Sequence, residues 1–149
     1  MTKEFKLFIV MTLLAAIAML VPIHKVDPVI EPYIEEFKSI GQSVCKEVDY
    51  FSPPKTVIGL KKGVLTDKES IIGVCYRSNI SFKIEYDEDY FYGLNPTSKK
   101  ALVFHELTHC MLLIDHSEDR KNYMYENLVE LDEKTLYNQV RDNFKRRCL

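Results

Sequence analysis

The segment His105-Glu106-Leu107-Thr108-His109 puts two imidazoles and a carboxylate at a spacing suited to metal-assisted hydrolysis. On a helix, residues four apart share a face, one turn apart. Both rings can then reach one zinc ion at about 2.0–2.1 Å. Glu106 directly follows the first ring, close enough to hydrogen-bond a water on that metal without displacing it. Zinc lowers the pKa of such a water, and a neighbouring carboxylate is placed to take its proton as general base. A catalytic zinc takes three protein ligands and leaves one position open. Three of the chain's four histidines fall between positions 105 and 116, which makes His116 the first candidate for the third ligand. Asp115 is its rival, and Glu126 and Glu130 stand further downstream.

The stretch from His105 to His116 resembles the metzincin consensus, H-E-x-x-H-x-x-G-x-x-H. Met124-Tyr125, eight residues after His116, resembles that family's Met-turn. The resemblance covers about residues 95–126. It implies a Zn2+ cofactor, a peptide or protein substrate, a sheet ahead of the active-site helix, and Met124 packed beneath the metal. Two departures stand out. Six residues separate His109 from His116, where the family has five, and Leu112 occupies the place of the family's glycine. The chain must therefore leave the helix by another turn, for which Ile114-Asp115 is the expected place. Asp115 sits where the unshifted pattern puts its third ligand, and a downstream Glu is what the gluzincin pattern would use. Tyr125 is either a hydrogen-bond donor to the oxyanion of the tetrahedral intermediate or an aromatic packed beneath the site. The closer likeness is to small bacterial and phage-type proteins with an HExxHC…H segment, which Cys110 fits. Zinc peptidases of the resembled type bind substrate as an extra strand on a sheet edge, and Ile80–Tyr86 is the candidate edge.

The elements that must hold these residues read as an α+β domain. Asn95 and Pro96 are a cap and a first helical residue for a helix running to about Leu113. Ile71–Tyr76 and Ile80–Tyr86 read as a hairpin, the second strand alternating Ile80, Phe82, Ile84 and Tyr86 against polar residues. Thr56–Leu60 is a further strand. Residues 27–40 read as an amphipathic helix, with Pro28 in its first turn and Gly41 at its end. Asp87-Glu88-Asp89 reads as an acidic turn without the spacing of a calcium loop. Glu130–Arg147 reads as a C-terminal helix with Leu131, Leu136, Val140 and Phe144 buried, and its closing Lys145-Arg146-Arg147 suits a helix C-terminus.

At 149 residues, with 46% hydrophobic and 28% charged residues, the chain suits one packed domain. A net charge of −2 gives no basic footprint for nucleic acid, and a monomer is expected. Lys3 and Lys6 precede an apolar run from Leu7 to Val21, the layout of a signal peptide or an uncleaved signal anchor over residues 1–24. Either one exports residues 25–149, as a periplasmic, extracellular or membrane-anchored domain, and His24 then belongs to the leader. Four cysteines in an exported chain suggest disulfides, with three possible connectivities. Cys75–Cys110 and Cys45–Cys148 are favoured, since they would tie a strand to the metal helix and the domain's two ends together. The expected function is a zinc metallopeptidase. Its alternatives are an exported binding module with structural or no zinc, and a cell-wall peptide amidase.

Overall fold

The computed structural model describes residues 22–63, 65 and 71–148. Most of the expected leader therefore lies outside the described residues. Among those described, no helix is long and apolar enough to cross a membrane. Among the described residues the architecture is α+β, with a mixed four-stranded sheet and four α-helices in the order β1 (Ile23–Val26), α1 (Glu31–Val44), β2 (Lys55–Lys61), β3 (Gly73–Ser78), β4 (Ser81–Asp87), α2 (Glu88–Gly93), α3 (Pro96–Leu107) and α4 (Glu133–Lys145). A π-helical segment, Thr108–Leu112, continues α3. His24 lies in β1, an exposed strand that the sequence had not announced.

The strands lie in the order β1-β2-β4-β3. β1 and β2 pair in parallel, as do β2 and β4, while β3 runs antiparallel to β4 as the other edge. The alternation in β4 is real: Phe82, Ile84 and Tyr86 are all buried. The sequence offered this strand as a candidate edge and left the question open; β4 is flanked on both sides and is not the edge. Period-2 patterning records which face is buried, not which neighbour lies alongside. The edge belongs to β3, the first strand of the hairpin. Ile80, expected on the buried face, is instead 59% exposed in the turn.

Thr56 and Ile58 of β2 join the inner residues of β4 on the face that packs against the helices. α3 runs through the centre. From Ala101 to Leu107 every residue is buried, so this helix has no polar face to show in the sequence. Its start is the expected one, with the Asn95 side chain accepting from the Ser98 N–H at 2.9 Å and Pro96 following. The acidic stretch 87–89 proves to be a helix start rather than a loop, since Asp87 caps α2 by accepting from the Tyr90 N–H at 2.7 Å. Asp132 likewise caps α4 through Thr135, so that helix begins at Glu133, three residues later than expected.

α1 also begins later than the sequence suggested. The Asp27 carboxylate accepts from the Val29 N–H, which folds residues 27–30 into a turn, and Pro32 takes the first helical turn in place of Pro28. Gly41 lies inside α1 rather than beyond its end. Its role is close approach, because a Cβ there would stand 2.6 Å from both Phe144 Cε1 and the Tyr50 hydroxyl. Phe144 of α4 packs on Phe37 of α1 with ring centroids 4.8 Å apart, so the missing side chain sets the distance between these helices. Lys100 of α3 also ties the helices, donating to Glu36 of α1 and to Glu133 and Tyr137 of α4. Burial opposes its charge, but these bonds outweigh it and raise its pKa. Both favoured disulfides are present, Cys45–Cys148 and Cys75–Cys110, each with Cα atoms 5.8 Å apart.

Gly41→Ala should therefore lower stability. Alanine gains about 1 kcal/mol of helix propensity, but overpacking of this kind costs about 1–3 kcal/mol. The expected net loss is up to about 2 kcal/mol, read by thermal or denaturant unfolding. A rise in Tm would show that Phe144 yields at no cost.

Candidate metal centre

α3 and its π-helical extension place the first two imidazoles, and the chain that follows returns the third. His105 lies within the buried run of α3, and its Nδ1–H donates to the Tyr123 carbonyl at 2.7 Å. His109 lies in the π segment, and its Nδ1–H donates to the Ile114 carbonyl at 2.6 Å. With both Nδ1 atoms protonated, each neutral ring turns an Nε2 lone pair inward. The His105 and His109 Nε2 atoms are 3.0 Å apart, and those of His105 and His116 are 3.2 Å apart. Nitrogens bound about 2.0–2.1 Å from one tetrahedral zinc would be separated by about 3.3 Å. Unprotonated nitrogens this close repel one another unless a cation lies between them, so the donor set fits a divalent transition metal.

Among the described residues, His105, His109 and His116 form the one group of possible ligands whose donor atoms all lie within 4.8 Å of one another. Asp115 and Glu126 stand on the walls of the surrounding cleft and Glu130 is outside it; none joins the cluster. Cys75 and Cys110 are joined to each other and offer no thiolate. The set is therefore three imidazoles with an open side, facing a cleft of about 1010 Å³.

The electrostatics follow from burial. Desolvation, together with the neighbouring imidazoles, pulls the His105 pKa down to about 4, and desolvation lowers His109 as well. Both rings are thus held in the neutral form that binds metal. Glu106 is 5% exposed, and burial pushes its carboxyl up to about 8. It lines the cleft beside the imidazoles, positioned to exchange a proton with whatever occupies the open side.

Leaving the helix without glycine requires an unusual path. The π turn is closed by Leu113, which has φ 56° in the left-handed region and whose N–H reaches the Thr108 carbonyl. The turn thus falls at Leu113 rather than at the expected Ile114-Asp115. A π turn holds one residue more than an α turn, which accommodates the extra residue between His109 and His116. Two arginines cap the carbonyls this leaves open: Arg77 donates to His109 O at 2.9 Å and Arg147 to Leu113 O at 3.3 Å.

Tyr123 is a residue the sequence did not single out. Its carbonyl orients His105, and its hydroxyl lies 2.8 Å from Thr108 Oγ1 while accepting from Asn143 Nδ2 at 2.7 Å. A metal-binding histidine commonly donates its other ring N–H to such an acceptor. The one available signal was its place beside Met124-Tyr125. Met124 is buried in the core at 1% exposure. Tyr125 is half-buried and does not line the cleft, whereas Tyr90 of α2 does.

No curated protein and no solved structure matches this chain. A family model described as "Putative phage metallopeptidase" does match, over residues 26–134. That match takes in most of the chain and all three clustered histidines, and the chain belongs to this phage metallopeptidase family.

Proposed function

We propose that the protein is a zinc-dependent endopeptidase with a zincin-like arrangement, in which His105, His109 and His116 hold the metal and Glu106 is the general base. The observation that carries this reading is the convergence of three imidazole nitrogens on one point, with a buried carboxylate one residue from the first of them at an open cleft. Zinc, when bound, supplies Lewis acidity toward a scissile carbonyl and toward water. Glu106 takes the proton of the attacking water and passes it to the leaving amine. Its raised pKa suits both halves of that transfer near neutral pH.

The free edge of β3 supports a peptide substrate. Residues 71–75 and Arg77 line the cleft, as do residues 126–128. An extended peptide laid along β3 finds main-chain donors and acceptors there, which hold a backbone without reading its side chains. Tyr125 lies outside the cleft, so the reading assigns it no contact with substrate. The two disulfides support an exported protein working in an oxidising compartment.

The purified full chain should bind about one zinc per molecule. His116→Ala should weaken that binding by more than the ~10–100-fold typical of losing an outer-shell partner. A folded parent without affinity for zinc would sink the proposal and leave an exported binding module. Glu106→Gln should keep the metal and lower kcat on unfolded protein substrates by about 10²–10⁴-fold. Hydrolysis at the parent rate in that variant would remove Glu106 as the base. Cleavage of peptidoglycan peptides but not of proteins would instead favour the cell-wall amidase.

A further inference from the structure

Gly73, the first residue of the edge strand, faces Glu106 at a distance that leaves no room for a side chain. A Cβ on Gly73 would stand 2.9 Å from Glu106 Oε1, 3.1 Å from Glu106 Cγ and 3.1 Å from Leu102 Cδ1. The first of these is closer than real Cβ atoms come to other heavy atoms. Backbone conformation does not require glycine here, because Gly73 is outside the positive-φ region where Gly63 lies. Space alone does.

The strand cannot easily swing away. Gly73, Cys75 and Arg77 alternate along one face of β3. Two residues beyond Gly73, the Cys75–Cys110 disulfide staples the strand to the π segment. Two residues further, Arg77 donates to the carbonyl of the metal-site residue His109. On the other side Leu102, one turn before Glu106 on α3, completes the confinement. Burial is the cause behind the Glu106 shift, and no charge partner or hydrogen bond among the described residues contributes to it. A glutamate has three rotatable side-chain bonds, so something other than polar partners must fix where its oxygens lie.

We propose that Gly73 is a positioning residue for Glu106: its bare Cα lets the stapled edge strand close against the carboxylate and hold it facing the cleft, so that a side chain at position 73 displaces the base. The kinetic consequence rests on the peptidase reading above, whereas the steric contact does not. Gly73→Ala should fold, form both disulfides and bind zinc like the parent. Its kcat should fall about 10–100-fold, the scale of a misplacement of about 1 Å, with KM changed less than about threefold.

A double-mutant cycle on thermal stability tests the contact without any activity. Gly73→Ala should lower Tm in the parent and lower it much less in a Glu106→Ala background, where Oε1 and Cγ are gone. Parent-like kcat in Gly73→Ala, a joint loss of zinc affinity and KM, or strictly additive Tm changes would each overturn the proposal. Failure of Gly73→Ala to fold even beside Glu106→Ala would do so too, since it would make Gly73 a general packing requirement. An inactive parent would remove the peptidase reading, while the Tm cycle would still decide whether Gly73 confines Glu106.

Discussion

Three imidazole rings gathered so that the Nε2 atoms of His109 and His116 lie 3.0 and 3.2 Å from that of His105 are an arrangement that a protein must impose. In the absence of a cation their lone pairs repel, and rings free to turn would swing apart or reprotonate. Two backbone carbonyls prevent this at His105 and His109 by fixing the proton on Nδ1. The remaining design consists largely of holding those carbonyls in place. Tyr123 O is fixed because the Tyr123 ring is clamped between Thr108 and Asn143, and because its own N–H donates to Gln139 at 2.9 Å. Ile114 O is fixed by the left-handed turn at Leu113, whose carbonyl Arg147 caps. The C-terminal helix, which supplies Asn143 and Gln139, is thus part of the candidate metal centre although it offers no ligand.

That dependence explains why α4 is anchored so heavily. Phe144 packs on Phe37 across the glycine at position 41, and Lys100 links α4 to both other long helices. Cys148, just beyond the helix, is joined to Cys45 at the end of α1. A disulfide spanning 103 residues of sequence removes much loop entropy from the unfolded chain, about 4.7 kcal/mol for a loop of this size in the chain-entropy picture. Whatever its worth here, it keeps the end of α4 against α1, and so keeps Asn143 where Tyr123 needs it.

The sequence showed the chemistry more clearly than the path of the chain. His105, Glu106 and His109 were legible because their spacing matches the repeat of a helix, and Asn95-Pro96 marked where that helix begins. The return of His116 to the cluster was legible only as a count of histidines. The route was not, because a π turn closed by a leucine at positive φ has no residue signature of its own; the usual signal for such a turn is the glycine this chain lacks. Tyr123 escaped notice for a related reason, since its orienting contact is made by its carbonyl, which every residue has. The hairpin was read correctly, but which of its strands forms the edge could not be read. The parallel pairing of β2 with β4 depends on contacts 26 residues apart that no local pattern announces. β1 was hidden by its place next to the apolar leader pattern.

Edge and base are linked by the same geometry. A general base must be dry enough to hold its proton at neutral pH, yet open enough to meet its substrate. Burial within α3 alone would give Glu106 the first property and remove the second. A hydrogen-bonded partner would fix its oxygens, but it would also lower its basicity by favouring the ionised form. Confinement by a bare backbone avoids both costs, because the Gly73 Cα restricts where the carboxylate can go without offering it a proton or a charge. The wall that does this is also the strand whose free edge lines the cleft. Under the proposed peptidase reading, a peptide paired with β3 would be registered by the same strand that confines Glu106, and the staple at Cys75–Cys110 ties that strand to the segment that carries His109.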